Sequence, residues 1–172
     1  MVERIRLTSA LLSQRTSGIE EEWAKRLDAT QERFNLREGK KKRQQPKTPT
    51  PPYDKPNGYL KREVYRLVCD CIADRKVRAL QRKVATNDSL PRPSAHNEEN
   101  PFYWGLLAVC GINDRRVSRN NRSKFANELL YAHKHKVPAD LLVGFIYQIG
   151  SSDGLRQRLV DEQTEEWAPL VS

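Results

Sequence analysis

Residues 101–111 read PFYWGLLAVCG, and this stretch is apolar on every side of a helix rather than along one stripe. A helix without a polar face is stable only where other elements cover it, so we expect this one to be buried. Asn100 comes directly before Pro101, which is the order expected of an N-cap residue and the first residue of a helix. The sequence therefore predicts a short buried helix that begins at Pro101.

Helical periodicity extends to the other apolar parts of the chain. Residues 59–73 place six apolar side chains on one face, and after Asp74 the phase changes, so either the helix is interrupted there or its two halves bury different sides. Residues 125–132 repeat the helical spacing, and the apolar stretch from Pro138 ends at Gly150.

The two ends of the chain also have a helical pattern. Residues 2–14 and 18–37 form two helices or one kinked helix, with Ser17 as a helix start, and Ser151 or Ser152 caps a last helix. No segment shows sustained alternation with a period of two. We predict an all-α fold, a bundle of about five to seven helices.

A basic, proline-rich stretch, KKKRQQPKTPTPPYDKPNG, occupies residues 40–58. Its five prolines exclude a helix or a central strand, so we expect a long loop or linker. The predicted organisation is an N-terminal helical segment at 1–38, a linker at 39–57 and a main helical bundle at 58–172.

The composition narrows the class of protein. No run approaches the roughly 20 apolar residues that span a bilayer, and the N-terminus lacks the apolar core and cleavage site of a signal peptide. Three cysteines make no even disulfide framework. We therefore expect a soluble, cytoplasmic protein without a membrane partner.

The net charge of +9 is spread unevenly. Residues 113–136 hold seven basic and two acidic side chains, whereas residues 137–172 hold two basic and six acidic ones. An excess of this kind in the middle of the chain favours a surface that binds a polyanion, although it also serves solubility.

Three groups of cations carry this excess. On a helix, Arg75, Arg78 and Arg82 share one side, with Lys76 and Lys83 next to them, and Arg115, Arg119 and Arg122 share another, with Arg116 and Lys124 pointing elsewhere. Guanidinium groups match phosphate oxygens with two parallel donors. The third group, Lys40, Lys41, Lys42 and Arg43, lies in the proline-rich stretch, and together the three form the predicted nucleic-acid-binding residues.

Catalytic and metal-binding patterns are absent from the sequence. His133 and His135 are two residues apart, as are Cys69 and Cys71, so neither pair shares a side of a helix, and we expect no metal or cofactor. Asp70 and Asp74 are the one acidic pair to consider for a metal-dependent nuclease. We expect them instead to form surface ion pairs with Arg66, Arg75 and Arg78.

The sequence places basic arginine stripes between apolar helices such as FYWGLLAVC and DLLVGFIYQI. In this pattern the chain resembles the small subunit of a type I CRISPR effector complex (Cascade). It is also similar to the matching C-terminal helical part of some large subunits, as in type I-D. The resemblance covers most of residues 58–165, and it leaves the proline-rich loop unmatched.

The resemblance implies a non-catalytic subunit of a ribonucleoprotein complex. Several copies would hold the crRNA–DNA heteroduplex, the target DNA or the displaced strand through backbone contacts, while guide pairing reads the sequence. A second hypothesis is an assembly module in which Asp161, Glu162, Glu165 and Glu166 of one copy meet the basic middle of another. The metal-dependent nuclease is the third.

Overall fold

The structure, a computed structural model, describes residues 6–39, 52, 55–111, 116–150 and 153–164. These residues form eight α-helices and no strand, which confirms the all-α prediction and adds one helix to its upper count. The helices are α1 (Ser9–Gly39), α2 (Pro56–Ala73), α3 (Val77–Ala85), α4 (Ala95–Glu98), α5 (Pro101–Cys110), α6 (Arg119–Lys134), α7 (Leu142–Ile149) and α8 (Leu155–Val160). A single 3₁₀ turn at Ala139–Leu141 leads into α7.

Helix α5 is the centre of the molecule and packs against α1, α2, α3, α4 and α6. Eight of its ten residues are buried, so its apolar character on all sides is used. The Asn100 side chain accepts a hydrogen bond from the amide of Phe102 at 3.0 Å, and Pro101 is the first helical residue. The predicted start of this helix is confirmed.

Helices α2 and α5 approach each other most closely at Gly105. A Cβ atom at this position would lie 2.4 Å from Cγ2 of Val68 and 3.1 Å from Cγ1 of Val64, closer than van der Waals contact permits. Because glycine has no side chain, the α5 backbone at Gly105 lies close to the side chains of Val64 and Val68. The buried face of α2 therefore packs directly on α5.

Helix α1 is one helix that runs through Gly18, so the predicted helix start at Ser17 is wrong. Its first turn is capped by Thr8, whose Oγ1 accepts a hydrogen bond from the amide of Leu11 at 3.1 Å. Leu12, Ile19 and Trp23 keep one helical phase on both sides of the glycine and are buried. This burial outweighs the roughly 1 kcal/mol that glycine costs inside a helix.

Asp70 in α2 and Asp74, the C-cap residue of α2, bind the start of α1 and the residue Leu7 that precedes it. A carboxylate oxygen of Asp70 lies 2.8 Å from the Arg15 guanidinium, and Asp74 accepts a hydrogen bond from the amide of Leu7 at 2.9 Å. These described partners differ from the predicted Arg66, Arg75 and Arg78, and Arg66 pairs with Glu63 and Asp140.

Several other boundaries differ from the prediction. Helix α2 begins at Pro56, inside the predicted linker, and a short helix, α4, precedes Asn100. Helix α8 follows Gly154, whose φ of 85° suits a glycine, rather than a serine cap. The proline-rich stretch at 40–51 and the serines at 151–152 lie outside the described residues. None of the described helices is long and apolar enough to cross a bilayer.

We expect Gly105→Ala to destabilise the protein by about 1–3 kcal/mol, because the added methyl group collides with Val68 in a packed core. The matched control is Gly144→Ala in α7, where no heavy atom lies within 4 Å of the new Cβ. This control should be neutral or stabilise by up to about 1 kcal/mol through helix propensity. Guanidinium unfolding measures both, and equal effects would contradict the close approach of α2 and α5.

Candidate nucleic-acid interface

Helix α3 has two distinct faces. Leu80 and Val84 are fully buried and pack the helix onto α5. Arg78 and Arg82 are one turn apart on the opposite side and are exposed. The two buried residues thus hold a short helix in place, and its arginines project into solvent as a consequence of helical phase.

The turn between α2 and α3 places two further cations at the N-terminal end of α3. Asp74 ends α2, Arg75 adopts a left-handed conformation with φ of 56°, and the amide of Lys76 donates to the carbonyl of Cys71 at 2.7 Å. The amide of Arg75 donates to the carbonyl of Ile72 at 3.1 Å, which completes a Schellman motif. The helix is interrupted at Asp74, as the first of the two sequence alternatives proposed.

An open groove of about 560 Å³ lies between α3 and the start of α5. Arg78, Arg82 and Gln81 form one wall, and Glu98 and Trp104 form the other. The Trp104 indole donates a hydrogen bond to the carbonyl of Glu98 at 2.8 Å and is 8% exposed, so only its edge reaches the groove. The groove therefore has arginines on its α3 side and one acidic residue, Glu98, on the other, and it offers no wide stacking platform.

Arg92 is a cation at this surface that the sequence prediction missed. Its guanidinium donates to the carbonyl of Ala85, the last residue of α3, at 3.1 Å, and its side chain is exposed. Arg92 is isolated between two prolines in the sequence, so no charge cluster marked it. Only the return of the loop to the end of α3 brings it beside the groove.

We call the exposed cations of this region the α3 surface, which consists of Arg75, Lys76, Arg78, Arg82 and Arg92. Within the described part of the chain, none of these five side chains forms an ion pair with a carboxylate within 4.0 Å. Like charges at this density repel one another in the absence of a counter-charge. Lys83 does not belong to the surface, because it is half-buried and its Nζ donates to the Ser13 hydroxyl at 3.2 Å.

Arg122 of the second predicted stripe is not at the surface. Arg122 is 1% exposed and shares the buried face of α6 with Ala126 and Leu129, so it cannot reach an external phosphate. Helix α6 begins at Arg119 because Ser118 is its N-cap, with its hydroxyl accepting from the amide of Asn121 at 3.2 Å. Because α6 starts at Arg119 and buries Ala126 and Leu129, Arg122 lies on the same side of the helix and points into the core.

The remaining cations of that stripe are dispersed. Arg119 is exposed, while Arg116 pairs with Asp28 of α1 at 3.3 Å and Lys124 pairs with Asp153 at 3.4 Å. Both are exposed ion pairs of small energetic value. Arg115 and the run Lys40, Lys41, Lys42 and Arg43 lie outside the described residues, so their predicted role stays a prediction.

No arrangement for metal catalysis lies within the described ranges, where no three His, Cys, Asp or Glu side chains are grouped to hold an ion. The acids considered for a nuclease, Asp70 and Asp74, hold α1 against α2 as described above.

Cys69 and His133 form a contact that the sequence did not predict, with the sulfur 3.6 Å from Nδ1 of the imidazole. Burial raises the pKa of the Cys69 thiol to about 11, so it stays protonated at neutral pH. Burial also lowers the pKa of His133, whose ring lies 5.5 Å from that of Phe102. A nucleophilic cysteine needs the opposite shift, so this pair fits a packed interior between α2 and α6.

No family model, curated protein or solved structure matches the chain. The relation to CRISPR small subunits therefore rests on the resemblance in residue pattern alone. The site has to be judged by its own geometry and charge.

We expect Arg75→Gly to raise the free energy of unfolding by up to about 1 kcal/mol, because glycine adopts a left-handed conformation without steric cost. Lys136 ends α6 in the same way, with φ of 54° and the amide of Val137 bonded to the carbonyl of Ala132 at 3.1 Å. Lys136→Gly should therefore stabilise by a similar amount. Urea unfolding measures both variants, and a loss of stability in Arg75→Gly would contradict the backbone geometry.

Stability should also depend on the protonation of His133. The folded protein keeps this imidazole neutral to lower pH than the unfolded chain, where histidine has a pKa of about 6.5. The stability that neutral His133 contributes is thus complete above about pH 7.5 and is lost as the pH falls below about 6.5. Its loss is limited to about 1.4 kcal/mol per pH unit.

The measurement is urea unfolding of the wild type and of His133→Gln at pH 8.0, 7.0, 6.0 and 5.5. The wild type should lose stability relative to the variant across this range. A constant difference between the two proteins would show that His133 does not titrate differently in the folded state.

Proposed function

We propose that this protein binds the phosphate backbone of nucleic acids, without reading their sequence, through the α3 surface. The observation that carries the proposal is the exposure of Arg78 and Arg82 on one side of α3, and of Arg75 and Lys76 in the turn before it, without a described carboxylate partner. Arg92 extends the same surface along the groove.

Phosphate is the chemistry that best fits this surface. Arginine presents a planar fork of donors that binds two oxygens of one phosphate, and binding releases the counterions condensed on the polymer. Arg78 and Arg82 lie about 6 Å apart along the helix axis, so they can contact different phosphates of one strand. Contacts of this type fix the position of a strand but carry no direct sequence information.

The proposed role is non-catalytic and suits one subunit of a larger ribonucleoprotein complex. A cytoplasmic CRISPR effector complex that holds target DNA or a crRNA–DNA heteroduplex is the setting that the sequence resemblance suggests. The nuclease hypothesis is less favoured, because Asp70 pairs with Arg15 of α1 and Asp74 accepts a hydrogen bond from the amide of Leu7.

The test is binding of single-stranded DNA, duplex DNA and an RNA–DNA hybrid as a function of salt. With about four phosphate contacts, duplex affinity should fall roughly 100-fold between 50 and 200 mM salt. The triple variant Lys76→Gln/Arg78→Gln/Arg82→Gln should flatten the slope of log K against log salt by about 2–3.

The matched control removes three exposed cations elsewhere, in Lys134→Gln/Lys136→Gln/Arg156→Gln. It carries the same net charge as the α3 variant and should keep a slope close to that of the wild type. Equal flattening in both variants would show that net charge alone drives binding. That result, or the absence of binding at 50 mM salt, would overturn the proposal.

A further inference from the structure

A second groove, of about 410 Å³, lies between the start of α2 and the outer face of α7 and shares no residue with the α3 surface. Its apolar lining comes from Pro52, Val143, Ile146 and Tyr147, and its charged lining comes from Lys55 and Lys61. No acidic residue lines it among those described. It is therefore an apolar groove with a positive border.

The α7 side of this groove is exposed within the described part of the chain. Its residues Leu142 and Phe145 are buried against the body, whereas Tyr147 is 75% exposed on the opposite side. Tyr147 and Val160 are the two large hydrophobic side chains most exposed in the described part of the chain. A tyrosine presented beside an apolar groove is typical of a protein-binding surface.

The positive border has two sources. Lys55 is exposed and precedes the first turn of α2, an 18-residue helix that has no side-chain cap, and the residues of that turn line the groove. The partial positive charge of the helix start therefore adds to that of Lys55. Lys61 contributes less, because its Nζ lies 2.5 Å from the Glu128 carboxylate and over the Phe125 ring.

The complementary ligand combines acidic and bulky apolar side chains, and the chain contains such a segment. Residues 164–172 read TEEWAPLVS, in which Glu165 and Glu166 come directly before Trp167. We propose that this segment of one copy binds the α2–α7 groove of a second copy. Trp167 would pack against Tyr147 and Ile146, and the two glutamates would lie near Lys55 and the start of α2.

The position of the residues after α8 favours binding of the segment to the groove of a second copy over binding to the groove of the same copy. The Tyr131 hydroxyl donates to the carbonyl of Gln163 at 3.5 Å, and the Tyr131 ring lies 6.3 Å from that of Phe145. Gln163, the residue before the segment, therefore lies beside Tyr131, which neighbours the buried Phe145 of α7, whereas the groove is on the exposed side of α7. Contacts between unlike surfaces of successive copies give head-to-tail association.

This placement differs from the sequence-based assembly hypothesis, in which the acidic residues met the basic middle of the chain. Asp161 and Glu162 belong to the end of α8, where the amide of Gln163 bonds to the carbonyl of Arg158 at 3.0 Å. The proposal leaves the α3 surface free, so association and nucleic-acid binding can be tested separately.

The experiment measures the mass of the full chain by light scattering over a range of concentrations. The wild type should associate as concentration rises, and excess synthetic peptide of residues 164–172 should disperse it. Tyr147→Ser and Trp167→Ala should each weaken association at least about 30-fold, because an interface aromatic carries much of the binding energy. Val160→Ser, which changes the other exposed hydrophobic side chain, should associate like the wild type.

A mixture of the two impaired variants gives the decisive result. Tyr147→Ser retains an intact segment and Trp167→Ala retains an intact groove, so together they should form a one-to-one dimer and nothing larger. A mixture that stays monomeric while the wild type associates would overturn the proposal. A wild type that is monomeric at every concentration would also overturn it, as would association of Tyr147→Ser alone.

Discussion

The whole arrangement depends on covering α5, a helix with no polar face. Its ten residues are apolar in every direction, so it is stable only when neighbours surround it. Gly105 removes the side chain that would hold α2 away, and α2 therefore lies against α5 with Val64 and Val68 in contact. The positions of α1, α3 and α6 follow, because each covers another side of the same helix.

The α3 surface is a consequence of this enclosure. Helix α3 is held by Leu80 and Val84, and a helix fixed by one apolar stripe must turn its other residues outward. Arg78 and Arg82 are exposed for this reason, and the Schellman motif adds Arg75 and Lys76 before the start of α3. In α6, Arg122 shares the phase of Ala126 and Leu129 and is buried with them. Arg78 and Arg82 of one predicted stripe are therefore exposed, whereas Arg122 of the other is buried.

The two grooves of the molecule differ in the chemical character of their lining. The α3 groove has arginines along its wall and admits only the edge of Trp104, which suits a charged backbone more than an apolar group. The α2–α7 groove is apolar with a positive border and an exposed tyrosine, which suits a peptide. The two grooves therefore differ in the chemistry of the ligand proposed for each, a phosphate backbone for the first and a protein segment for the second.

The sequence by itself determined what depends on neighbouring residues. The Asn100 cap and the all-apolar surface of α5 are local, and so is the helical phase of α3 that separates its arginines from Leu80 and Val84. The phase change after Asp74 left two alternatives, and the structure shows the interrupted helix. Tertiary structure decided what depends on distant residues. It kept α1 continuous through Gly18, buried Arg122, brought Arg92 to the end of α3 and placed Tyr147 beside the start of α2. Those outcomes rest on the apolar area buried between helices and on loop closure, and neither can be read from the spacing of residues along the chain.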